Sequence, residues 1–98
     1  QIYNETLKFC KENKDMSVVY SEMGEQLLEE NKIKQAVGTF LYALSLTENF
    51  SPASAGLKRA LRLMKMYERY ETLVNFTKNV KDFDELQKNV EGVLSKSM

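Results

Sequence analysis

Proline occurs once in this sequence, at position 52, and glycine only four times. A chain of 98 residues with so few backbone breakers is committed to long uninterrupted elements. Apolar spacing decides which kind. Tyr3, Leu7 and Cys10 recur at helical intervals, and so do Tyr20, Met23, Leu27 and Leu28. Ile33, Ala36, Val37, Phe40, Leu41 and Leu44 form a third stripe, and Leu57, Ala60, Leu61 and Met64 a fourth. Tyr67, Tyr70, Leu73 and Val74 make a fifth; Phe83, Leu86, Val90 and Val93 make a sixth. No run alternates with period two over a strand's length. The pattern predicts an all-α fold of about six helices.

The intervals between stripes carry punctuation chemistry. Asp15 or Ser17 is suited to cap the second helix. Asn31 suits the left-handed residue of a tight inter-helix turn. Ser51-Pro52 reads as an N-cap followed by proline in the first turn. Asp82 with Glu85 three residues later has the form of a capping box. Near Lys65-Met66 there is no glycine, proline or asparagine, so the fourth and fifth stripes read as two helices, with one long helix as the alternative.

Composition excludes most catalytic chemistry. The chain has no histidine, which removes His-based triads, His acid–base catalysis and His-ligated metals. Its one cysteine, Cys10, allows no internal disulfide and no thiolate zinc site, and reads as core in a reducing compartment. There is no glycine-rich phosphate loop and no convincing pair of catalytic carboxylates. An enzyme is not expected, nor any catalytic residue, metal or cofactor. No stretch approaches the length of a membrane span. The sequons at Asn4, Asn49 and Asn75 read as chance occurrences. A cytoplasmic location, at most on the cytosolic face of an organelle membrane, is the expectation.

Charge is balanced overall, with 14 basic and 14 acidic residues, so nucleic acid is not expected as the main ligand. The balance hides a segregation. Residues 1–50 are net acidic, the segment 51–81 carries seven basic residues against two glutamates, and 82–98 is acidic again.

Helices of this length joined by short turns suggest stacked hairpins. Residues 17–50 resemble a tetratricopeptide repeat. Tyr20 stands at the aromatic position, Met23-Gly24 replaces Leu-Gly, and Leu27 takes the next large position. Asn31 falls at the turn, Ile33 at the next large position, and Ala36, Phe40 and Ala43-Leu44 match the second helix. The window 51–84 matches more loosely. Leu57, Leu61 and Tyr67 fit, while Lys58, Tyr70, Val74 and Thr77 stand where the family prefers Gly, Ala, Phe and Ala. The resemblance implies antiparallel helix-turn-helix hairpins stacked as a short α-solenoid. The expected division is an N-terminal helix at 1–15, a clear hairpin at 16–50, a degenerate one at 51–81 and a capping helix at 82–98.

In that family the first helices line a concave groove that takes peptides. Carried over by position, the groove residues are Val18, Ser21, Glu25, Leu28 and Glu29 from one hairpin and Ala55, Arg59, Arg62 and Leu63 from the next. Arg59 and Arg62 suit the carboxylates of a peptide, or pair with Glu25 and Glu29. Members that clamp acidic chaperone tails use Lys and Asn where this chain has Ser21 and Glu25. The expected partner is a protein or peptide. Two further readings remain open. Gly24 to Leu28, with Val37 and Ala43-Leu44, is similar to mitochondrial presequence receptors, which take basic amphipathic helices. The chain also reads as a structural part of a larger complex. The basic stripe Lys58, Arg62, Lys65 and Arg69 reads chiefly as a solvated face, since it lacks interleaved aromatic residues.

Overall fold

The computed structural model describes residues 2–80 and 82–95, with side chains for 13–78, 80 and 82–94. Helices account for nearly all of it, and no strand occurs among the described residues. Five α-helices follow in order: α1 (Ile2–Glu29), α2 (Ile33–Leu46), α3 (Ser51–Leu63), α4 (Tyr70–Asn75) and α5 (Phe83–Ser95). Two 3₁₀ turns, Tyr67–Arg69 and Phe76–Asn79, flank α4.

The expected break between a first and a second helix is absent, because α1 runs through it. Nothing between Cys10 and Tyr20 stops a helix. Asp15 and Ser17, read as caps, lie in the helix interior. Ser17 is fully buried there, and its hydroxyl contacts the Asn13 carbonyl one turn back at 2.9 Å. It also reaches α2, at 3.0 Å from the Ala43 carbonyl and 2.7 Å from the Thr47 hydroxyl. The hydroxyl is spent on tying two helices together rather than on starting one. The side chains of Tyr3, Leu7 and Cys10 lie outside the described residues.

Two turns are helix stops of one kind. Asn31 has φ 63°; its N–H donates to the Leu28 carbonyl, and that of Lys32 to Leu27 at 2.8 Å. Lys65 has φ 59°; its N–H donates to Arg62, and that of Met66 to Leu61 at 2.9 Å. Both are Schellman motifs, in which a left-handed residue lets two N–H groups satisfy carbonyls of the ending helix. The asparagine turn is the expected one. The lysine turn shows that residues 57–78 are not one helix. After it the fifth stripe is fragmented into 3₁₀, α and 3₁₀ pieces instead of a full helix.

At α3 the proline lies in the first turn as expected, but the cap position is Phe50, and no side chain caps the helix. Ser51 is inside the helix. At α5 the expected cap forms: the Glu85 N–H donates to Asp82 Oδ1 at 2.7 Å.

α2 is the centre of the molecule. α1, α3, α4 and α5 all pack on it. Ala36 to Leu41 are buried without interruption, followed by Ala43 and Leu44. A helix buried all round has to be surrounded rather than laid on a surface. Phe40 shows how closely. Its fully buried ring lies against Gly24 of α1 and Gly56 of α3, and a Cβ added at Gly24 would stand 2.6 Å from Cε1. A Cβ at Gly56 would collide with the same edge. Gly24 thus permits the close approach of α1 to α2, and Gly56, rather than position 58, is the small residue that does the same for α3.

α5 does not extend a stack beyond α4. It packs along α2, with Leu86 and Val90 buried. Gln87 fills the space over Gly38, and its Nε2 donates to the Gln35 carbonyl at 3.2 Å. Phe83 completes an aromatic cluster with Tyr20 and Tyr42, the ring centroids 5.7 and 5.3 Å away. The cluster ties α1, α2 and α5 together.

Candidate functional site: the seam between α1 and α3

Short turns on both sides of α2 make α1 and α3 neighbours that run in the same direction. Their exposed flanks form a seam. Glu25 of α1 and Arg59 of α3 meet across it at 3.6 Å, both side chains more than half exposed. An ion pair so open to water contributes about 0–1 kcal/mol, so it aligns the two walls more than it stabilises them.

At one end of the seam, Val18, Ser21, Glu22 and Glu25 with Phe50 and Pro52 line a small pocket of about 180 Å³. Ser21 is 6% exposed, and its hydroxyl has no hydrogen-bond partner. A buried hydroxyl left unsatisfied costs about 1–3 kcal/mol. Among the described residues only Ser21 Oγ, Arg69 Nε and Gln87 Oε1 are in that condition.

The nine residues expected to line a groove divide as follows. Val18, Ser21 and Glu25 share the pocket, and Arg59 faces it through Glu25. Glu29, Ala55 and Leu63 are exposed on the same two helices, Leu63 by 58%. Leu28 is half-buried and packs on the core instead of lining the seam. Arg62 does not pair with a glutamate; its guanidinium lies over the Tyr67 ring, 5.9 Å from the centroid. Sequence reasoning missed Phe50 and Pro52, at the cap and in the first turn of α3, where positional transfer gives no guidance. It also missed Tyr67, assigned to a core stripe yet 46% exposed once the Lys65 turn redirects the chain.

Acid–base chemistry is sparse. The Glu30 carboxyl is held below its usual 4.5 by a hydrogen bond from Gln26, and by a hydrogen bond and charge from Lys32. No group of three or more His, Cys, Asp or Glu among the described residues could hold a metal ion. No helix among them is long and apolar enough to cross a membrane. Comparison of the chain with family models, with curated proteins and with solved structures finds no match in any of the three.

Proposed function

We propose that the chain is a non-enzymatic, tetratricopeptide-like interaction module that takes a peptide or a partner helix along the α1–α3 seam. The observation that carries this reading is the pocket at Val18, Ser21, Phe50 and Pro52. It joins an apolar recess to a hydroxyl without a partner, beside opposite charges from two helices. Recognition by few polar groups in an apolar recess is the ordinary design of such sites. The acidic flank of Glu22, Glu25 and Glu29 suits a basic amphipathic helix of the presequence kind; Arg59 suits a carboxylate.

Backbone NMR shifts of the labelled chain, titrated with a basic amphipathic peptide and with an acidic C-terminal peptide, test the proposal. The expected result is saturable shifts at Val18, Ser21, Glu25 and Arg59 with one of them, abolished by Val18→Asp. No movement of the seam at millimolar peptide would overturn it.

A second reading, a structural element of a larger assembly, is favoured by Met16, Val19 and Met23. They are 45%, 50% and 45% exposed and lie on the flank of α1 away from α3. An apolar strip of this kind is a site for a neighbouring helix. Concentration-dependent self-association, measured by sedimentation and lost in Val19→Asp, would support this second reading.

A further inference from the structure

The basic stripe at the end of α3 acquires in three dimensions the aromatic partners that its spacing did not show. The Tyr67 and Tyr70 rings stack at 6.2 Å with an interplanar angle of 17°. Lys58 Nζ stands over Tyr70 at 5.3 Å, and the Arg62 guanidinium stands over Tyr67. Lys65 follows on the exposed left-handed turn. Arg69 is half-buried, its Nε–H without an acceptor. The only ion pairs among the described residues are Lys32–Glu30 and Arg59–Glu25, so none of these four cations pairs with a described carboxylate. Two ring faces stand where counter-charges would be. A cation over an exposed ring gains only about 0.5–1 kcal/mol, which orders the side chain and leaves its charge available.

The geometry points to a second binding surface, the tyrosine turn, which takes an acidic peptide segment. Arginine and tyrosine are the residues that anchor protein interfaces, and four unneutralised cations within twelve residues call for carboxylates. Tyr67, 46% exposed, adds apolar surface beside the cations for an apolar side chain of the peptide. A polyphosphate fits less well. Glu68 and Glu71 project from the same turn, both exposed, and would repel a continuous phosphate backbone. A short peptide can place its carboxylates between them. The surface lies where α3 turns toward α4, and none of its residues lines the pocket at Val18 and Phe50, so its test is separate from that of the groove.

The test is a titration of the labelled chain with a peptide whose Glu residues are spaced by Ser around one Leu, at low and at high salt. Saturable shifts at Arg62, Lys65 and Tyr67 are expected, with affinity falling about tenfold in the exposed double variant Arg62→Gln/Lys65→Asn. Both substitutions keep the turn, since Asn accepts the left-handed conformation, and unchanged circular dichroism confirms it. Val18→Asp, which blocks the seam, is expected to leave this binding unchanged. Shifts confined to the seam, or no shifts at all, would overturn the proposal. So would tighter binding to a single-stranded oligonucleotide or to phosphatidylserine vesicles than to the peptide.

Discussion

Lys65 holds a left-handed φ of 59° that glycine adopts freely and that a side chain resists by about 1–2 kcal/mol. Asn31 meets the same demand with a residue type that tolerates it. That difference explains why one turn was legible in the sequence and the other was not. Asparagine announces the conformation, lysine does not, and the second stop is enforced by burial of Met66 beside Leu61. Lys65→Gly should therefore raise stability by up to about 1 kcal/mol, after the greater freedom of glycine in the unfolded chain is subtracted. Thermal denaturation would show it, and a lowered melting temperature would mean that the lysine side chain stabilises the turn. The same substitution should weaken acidic-peptide binding at the tyrosine turn, since it deletes one of its cations.

At the scale of elements, α1, α2 and α3 are spaced by one ring between two glycines. Helix propensity alone predicts that each Gly→Ala change in a helix stabilises by about 1 kcal/mol. Packing reverses the sign where the ring stands. Gly24→Ala and Gly56→Ala should each cost about 1–3 kcal/mol by overpacking against Phe40. Gly92→Ala in α5, where nothing lies within 4 Å, should stabilise by about 0.5–1 kcal/mol. Chemical denaturation of the three variants checks both signs. The helical character of each stripe and the inward faces of α2 and α5 were readable from 3.6-residue periodicity. The continuity of α1 was not, because Asp15 and Ser17 are typical caps that here lie mid-helix. Only the tertiary bonds from Ser17 to Ala43 and Thr47 explain their placement. Val18, Ser21 and Glu25, expected on one flank of a helix from the repeat-like spacing, line one pocket. Phe50 and Pro52 come from the start of α3, and Tyr67 is turned outward by a stop that no local residue announces.

For the whole molecule the decisive fact is that its α-helices meet on α2. The molecule is elongated, 52 Å against 25 and 21 Å across, and the 28 residues of α1 span about 42 Å. α2 is half that length. With a single hub, losing one partner of α2 should loosen the others. Val90→Asp, at a fully buried position of α5, should speed amide exchange at Leu57 and Leu61 of α3 as much as within α5 itself. Faster exchange confined to α5 would show that it docks as a separate unit.

The contact of Phe40 with its two glycines also has a meaning for descent. Positions 24, 40 and 56 lie on three different helices, far apart along the chain, yet they share one volume. A methyl group arriving at either glycine is a handicap while the ring remains, and becomes acceptable once position 40 has shrunk to leucine. The order of changes is thereby constrained: ring first, methyl second. A lineage that has taken both steps cannot restore the ring without first removing the methyl. Three positions far apart in the sequence thus share one constraint on size, set by the spacing of the helices.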